Sequence, residues 1–565
     1  MGIPQQGHHG ATLLGSVRSS RGAVTAGHPL AVRAGLEVLD EGGNAVDATI
    51  AAAFVAFVAE PNNAGIGGYG HLSAFLPGHG GFLTIDHSPR APAAARADMF
   101  ELDRERETEG HDWPSVVENR NWVGPLAVAT PGAVSGLHAL HERAGRLSWD
   151  RLLAPAVALA QAGLEVTWLL LIEIAARHEE IRANPVLAAI QHPDARPPRA
   201  RTADSPGERL NQRDLAATLQ TIAARGPRAF YDGSIAADIA AAVGGRGGIL
   251  SAEDLAGYAP RIVQEPPARY RDLEYITALD TVGYEALGIL EHFPITDLGA
   301  GTAAHYHLLA EAMGHAFADG AAHGGDPDFS EHPVHELGSA AFAAVRANAI
   351  RLDRAAIRPV PTAAPWLPAD EPQPPQSSGG VHGTTQVVAA DSDGNLVALI
   401  TTIGADFGST VTVPGRGIIL NNSMINYDPR PGHGNSIAPG KMPFFAVPTL
   451  VATRDGTAAF AAAGSGGYPI LAGVINTTVN HVDHGMDVQR AIDAPRVHSQ
   501  GDRTFIDARV PATIRGQLEE LGHELVVREL TPGELPFSRV SAIAASPTGI
   551  AAGAGPSWST AAGGL

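Results

Sequence analysis

The chain has 565 residues, 44% of them apolar, which is too long for one simple core and too apolar for a disordered polymer. A formal charge of −20, from 39 basic and 59 acidic residues, sets up an average field that repels polyanions, and no basic patch offsets it. Cysteine is absent, which excludes disulfides, thiol nucleophiles and Cys-ligated metals; the single lysine, Lys441, is followed by Met442, which excludes a phosphate-binding P-loop.

The opening residues carry no charged-then-apolar run and no small-residue cleavage pattern, so a cytoplasmic chain without a membrane partner is expected. Residues 31–59 read as Ala-rich helix, interrupted at Gly42-Gly43-Asn44, where Gly ends one helix and Asn caps the next. The apolar run Ala48–Ala59 is too short to span a bilayer and reads as a buried helix. Gly65-Ile66-Gly67-Gly68-Tyr69-Gly70 has dinucleotide-like spacing, but no strand clearly precedes it and no acidic ribose ligand is obvious. Tight backbone packing is the reading it supports. Residues 72–85 read as two short strands, and 130–350 mostly as helices.

One helix, over 302–319, places His307, Glu311 and His315 at four-residue spacing. Metal ligation is one reading; with no HExxH and no second cluster, a structural helix face is the stronger one. His192–Arg209 reads as a surface loop, and the stretch 358–383, with seven prolines, as a linker.

The residues after that stretch change its meaning. Thr384–Ala390 reads as a strand, Asp391-Ser392-Asp393-Gly394-Asn395 as a hairpin turn, and Leu396–Thr402 as the returning strand. Folding at Asp393-Gly394 brings Thr401 and Thr402 back opposite Thr384 and Thr385, gathering hydroxyls at one end of a buried ribbon. A Thr hydroxyl becomes a useful nucleophile beside a base, and the smallest such base is its own α-amino group, with a pKa near 8. An internal Thr acquires that amine only if the chain is cut at Gly383–Thr384. Residue types alone leave both readings open, a processed nucleophile and a Thr-rich strand after a linker.

From Thr384 onward the chain resembles the small subunit of γ-glutamyltranspeptidases, members of the N-terminal nucleophile hydrolase superfamily. The motifs are Thr384-Thr385, the D-x-D-G-N turn, Asn421-Asn422-Ser423-Met424, Pro439-Gly440-Lys441-Met442-Pro443, Gly464-Ser465-Gly466-Gly467 and Ala491-Ile492-Asp493-Ala494-Pro495-Arg496. The first half resembles the large subunit through Gly42–Ala48, Thr130–Val134, Ser251–Leu255, Glu311–Asp319 and Gly325–Phe329. The resemblance implies an α+β fold of four αββα layers. It divides the chain into a large subunit, residues 1–383, and a small subunit, residues 384–565, that stay associated after self-cleavage. Further dimerisation is left open, and neither cofactor nor metal is implied. It further implies Thr384 as nucleophile, Thr402 as its hydrogen-bonding partner, and Gly466-Gly467 as the oxyanion hole. The alternative for the glycine pair is a plain tight turn.

Departures from the family's motifs fall on contacts to the γ-glutamyl group. Asp86-His87-Ser88-Pro89-Arg90-Ala91-Pro92 has Ser where the family has its carboxylate-binding Arg, and Arg90 stands two places later as either a replacement or a salt-bridging Arg. Gly404 replaces an Asn, Asn426 replaces the Asp that pairs with the substrate ammonium, and Phe444-Phe445 replace a Ser pair; Ser423 is retained near this group. The expectation is a self-processing threonine amidohydrolase or acyltransferase, acting on a small-molecule amide through a diverged acyl pocket. Its alternatives are a true γ-glutamyl hydrolase or transferase with rearranged ligands, and an uncleaved binding protein.

Overall fold

A computed structural model describes residues 12–14, 16–105, 113–278, 280–330, 334–358, 360–362, 383–531, 537–555 and 559–565. The Pro-rich stretch lies mostly outside them. Its first residues are not linker-like, because Val360 is buried and the Arg358 side chain is only 9% exposed.

Two antiparallel-rich sheets form the centre. In the eight-stranded sheet the order of strands is 12–14, 561–564, 22–26, 385–391, 396–402, 69–76, 81–87 and 261–263. The seven-stranded sheet runs 16–19, 549–554, 539–546, 457–465, 450–454, 273–276 and 268–270. Strands from both sides of residue 383 contribute to each sheet, so neither part of the chain has a complete core by itself.

The hairpin Thr385–Thr402 shows why the layers stack as they do. All seven residues of each strand are buried, which suits β-branched and small apolar side chains on both faces. Val387, Ala389, Val397 and Leu399 join the core beneath helices Pro29–Asp40 and Ala45–Ala59. Val388, Ala390, Leu396 and Ala398 alternate with them and meet the second sheet, behind which lie helices Thr281–Glu291, Ala303–His323 and Pro469–Val482. Helix, sheet, sheet, helix is the αββα sandwich.

Helix Ala45–Ala59 is buried along all fifteen residues, and Asn44 with Asp47 forms its capping box. No helix among the described residues is long and apolar enough to cross a membrane. The glycines at 65–70 serve close backbone packing. A Cβ would lie 2.4 Å from the Ile419 carbonyl oxygen at Gly67, 2.2 Å from that of Thr402 at Gly68, and 2.1 Å from that of Ile400 at Gly70.

The turn at 391–395 is tied down by one carboxylate. Asp391 accepts from its own turn at Asp393 N (2.9 Å) and Asn395 N (3.1 Å), and from Ala45 N at the buried helix's start (2.8 Å). This joins the hairpin's closed end to the helix layer. Asp391→Ala is expected to cost about 2 kcal/mol or more, since buried donors lose a charged acceptor; a lower urea midpoint checks it, and an unchanged midpoint contradicts it.

Candidate active site

The hairpin's open end assembles the site. Thr385 pairs with Thr401 in register, which sets Thr384 against Thr402. The Thr384 hydroxyl lies 3.2 Å from Thr402 Oγ1 and 2.6 Å from the Gly383 carbonyl oxygen. Thr402 donates to that same carbonyl (2.5 Å) and accepts from Gly404 N (2.8 Å). Gly404 N–H donates to Thr402 and Thr402 O–H to Gly383, while the single Thr384 proton faces two acceptors, the Gly383 carbonyl oxygen and, farther off, Thr402 Oγ1. The Gly383–Thr384 peptide is thereby polarised by one Thr hydroxyl while the other stands beside it.

Gly383 fits under a loop that leaves no room for a side chain: its Cβ would lie 2.8 Å from the Asn62 carbonyl oxygen. The same loop accepts Ile403 N at Asn63 (3.1 Å) and Phe407 N at Asn62 (2.9 Å), fixing the segment after Thr402.

A cavity of about 60 Å³ opens onto Thr384. Tyr69 and Phe445 stack across it with ring centroids 5.5 Å apart, and Ile400, Val447, Tyr468 and Ile470 add to an apolar lining. Its polar members are Thr384, Thr402, His71 and Asn426; among the described residues no Asp, Glu, Lys or Arg lines it. Burial lowers the His71 pKa, and its Nε2 bonds the Val447 carbonyl (2.8 Å), so a neutral ring faces the cavity. Burial pushes Tyr69 up to about 12, against hydrogen bonds to Ser423 and Asn426.

The sequence-expected residues divide. Thr384, Thr402, Gly404, Asn426 and Gly467 line the cavity. Gly466 and Gly467 have φ of 120° and 71°, a turn that favours glycine at both positions. Asn426 Nδ2 donates to Tyr69 Oη (3.1 Å) and to Ser423 Oγ (3.3 Å), so Ser423 sits behind it. A side chain at Gly404, with φ of 97°, would be strained, and its Cβ would fall 1.9 Å from Asn422 Oδ1, so the Asn422 amide would have to move.

Arg90 is not among the lining residues. Its guanidinium is 3.1 Å from Asp326, which also holds Arg261 at 3.2 Å, so the salt-bridging reading describes its place. Of the two phenylalanines only Phe445 reaches the cavity; Phe444 packs at Gly320 and Gly324. The face of His307, Glu311 and His315 is internal. Glu311 is paired with Arg358 (2.7 Å), and His307 Nδ1 contacts His523 Nε2 (2.7 Å).

Sequence reasoning missed four contributors: Tyr69, His71, Glu60 and Arg539. Tyr69 lies within the glycine loop and His71 stands directly after it, and that adjacency was a readable signal. Nothing local marks Glu60 or Arg539, which meet the site from remote elements. Arg539 donates to the Thr384 carbonyl oxygen (2.7 Å), and Glu60 accepts from Thr385 Oγ1 (2.6 Å).

A model of the gamma-glutamyltranspeptidase family matches residues 31–565, and the chain belongs to that family. It is 36% identical over 547 residues to the Acylase ACY 1 proenzyme of a Pseudomonas species, covering 95% of this chain and 92% of the relative. It is 32% identical over 550 residues to the glutathione hydrolase proenzyme of Pseudomonas aeruginosa, covering 92% and 91%. The structure matches a crystal structure of cephalosporin acylase from Bacillus halodurans with a TM-score of 0.83 at 27% identity, over 100% of this chain and 98% of that one. The protein is an N-terminal nucleophile hydrolase that processes itself and acts as an amidohydrolase or acyltransferase.

Beside the site two carboxyls, Glu173 and Asp406, are both held above the usual carboxylate range. Burial, then the Asp406 charge, pushes Glu173 up to about 8, and Asp406 is itself raised by burial. The folded state therefore holds a proton that an unfolded Glu releases near 4.3. Stability from this group is present at acid pH and falls as pH rises from the unfolded value through about 8. Glu173→Gln is expected to raise the melting temperature at pH 8–9 and to leave it near wild type at pH 5. Equal shifts at both pH values would contradict the assignment.

Proposed function

We propose that Thr384 is the nucleophile of an acylase whose substrate is an amide with an apolar acyl group lacking an α-ammonium. The carrying observation is the acyl cavity itself, which is lined by aromatic and aliphatic side chains and by neutral polar groups. A γ-glutamyl group placed there would set its ammonium beside Asn426 with no countercharge, and a buried unpaired charge is costly. The acylase relative, at 36% identity, supports the same direction.

In the first step Thr402 polarises the Gly383 carbonyl while Thr384 Oγ adds to its carbon. The C–N bond breaks as its nitrogen takes the hydroxyl proton, leaving an ester of Gly383 on Thr384. That cleavage already frees the Thr384 α-amine; water then hydrolyses the ester, restoring the Thr384 hydroxyl and leaving Gly383 with a carboxylate. The pieces have 383 and 565 − 383 = 182 residues. They stay together because strand 385–391 lies between strands 22–26 and 396–402, and 396–402 pairs in turn with 69–76.

In turnover the free amine takes the Thr384 hydroxyl proton, Oγ attacks the substrate amide, and the proton passes to the leaving amine. The N–H groups at Gly466-Gly467 stabilise the tetrahedral oxyanion. Water or an amine then releases the acyl group.

The test is a panel of anilides carrying γ-glutamyl, glutaryl, succinyl and simple aliphatic acyl groups. Aliphatic acyl anilides are expected to exceed γ-glutamyl by about tenfold or more in kcat/KM, equivalent to about 1.4 kcal/mol. Arg90→Ala should not discriminate among acyl groups. A clear preference for γ-glutamyl, or a selective loss on glutaryl and succinyl in the Arg90 variant, would overturn the acyl assignment.

A further inference from the structure

The geometry points to Arg539 as a positioning residue that sets the nucleophile against the oxyanion hole, with Glu60 as its anchor; this rests on Thr384 being the nucleophile. Arg539 opens strand 539–546 and lies opposite Ser465, the last residue of strand 457–465 and the residue directly before Gly466-Gly467. Its three nitrogens reach three different elements. Nη2 donates to the Thr384 carbonyl oxygen (2.7 Å), Nε donates to Ser465 Oγ (2.9 Å), and Nη1 lies 3.6 Å from Glu60 Oε1.

A planar guanidinium holds its donors at fixed mutual angles, so these bonds fix a distance as well as an orientation. One end grips the residue that attacks. The other grips the neighbour of the backbone that stabilises the resulting oxyanion. Both Arg539 and Glu60 are 4% exposed, so exchange with water does not loosen the contacts.

Glu60 completes the clamp from the large-subunit side. Its second oxygen accepts from Thr385 Oγ1 (2.6 Å), beside the nucleophile, and its first accepts from Asn63 Nδ2 (3.2 Å) in the loop over Gly383. A Cβ on Gly27 would lie 2.3 Å from Thr385 Oγ1 and 2.8 Å from Glu60 Oε2, so only backbone passes there. The titratable groups facing Arg539 are Glu60, His28, Glu173 and Asp406, so Arg539 is a cation common to all four, with Arg177 also beside Asp406. A Lys cannot reproduce the arrangement, since a single ammonium would have to reach both Thr384 and Ser465.

The role predicts a loss in kcat rather than in KM, because Arg539 touches no part of the acyl cavity lining except the Thr384 backbone. With an accepted anilide, Arg539→Ala is expected to lower kcat about 100-fold, the size of effect that a small misplacement of reacting groups produces. KM should stay within about twofold, as for a transition-state effect. Arg539→Lys should recover only a small part, whereas added guanidinium, but not ammonium, should restore part of kcat to the Ala variant. Ser465→Ala, which removes one acceptor without opening a large hole, should lower kcat about tenfold at unchanged KM, and it decides the matter if the Arg539 variants fail to fold.

Folded Arg539→Ala with wild-type kcat, a loss confined to KM, or failure of guanidinium to restore any activity would each overturn the positioning role. Unchanged kcat in Ser465→Ala would do the same. A wild-type chain that neither cleaves itself nor turns over would instead overturn the nucleophile reading. An active wild type with a fully active Arg539→Ala variant overturns only the clamp.

Discussion

The antiparallel register of one buried hairpin governs the rest of this molecule. Because Thr385 sits opposite Thr401, the hydroxyls of Thr384 and Thr402 meet at 3.2 Å at the ribbon's open end. A slip of one residue would send every side chain to the opposite face and break both cores at once. The hairpin is therefore held wherever it could slide. Asp391 pins its turn to the buried helix, the glycines of 67–70 let a neighbouring strand close on its edge, and alternate side chains lock into two different cores. The meeting of these hydroxyls is a consequence of strand register, which rigid packing protects better than a loop would.

Charge is distributed in a complementary way. The cavity at Thr384 carries none among its described lining residues, whereas the structure behind Thr384 holds the Arg539–Glu60 pair, with the carboxyls of Glu173 and Asp406, both raised by burial, close by. Low dielectric strengthens those interactions and makes unpaired charge in the cavity expensive. One residue exchange shows the separation plainly. Asn426 takes the family's acidic position as a neutral amide bonded to Tyr69 and Ser423, so its surroundings are satisfied without a substrate cation.

Much of this was legible in the residues because it is local. The capping Asn44, the Asp-Gly turn, the two strands and the hydroxyl cluster each follow from short-range preference and period, and the motif series pointed to the family. Arg90 was harder to place. Its spacing left two readings, and only the fold reveals that Asp326, 236 residues away, holds its guanidinium. Phe444 and Phe445 are adjacent in sequence, yet one fills a helix groove and the other the cavity, a split that depends on backbone direction. Glu60 and Arg539 carry no local mark at all; they matter because a helix end and a strand start converge on Thr384 from opposite ends of the chain. The Pro-rich composition of 358–383 misleads at its start, where Arg358 is drawn inward by Glu311.

The Thr384 hydroxyl, poised 2.6 Å from the carbonyl oxygen of Gly383, is proposed to cut the chain there and so to create the catalytic amine. N-terminal sequencing of the smaller fragment on a denaturing gel tests it most directly. Two fragments are expected, the smaller beginning Thr-Thr-Gln-Val at Thr384. A purified chain that remains whole after prolonged incubation, or a fragment that begins at any other residue, would contradict it.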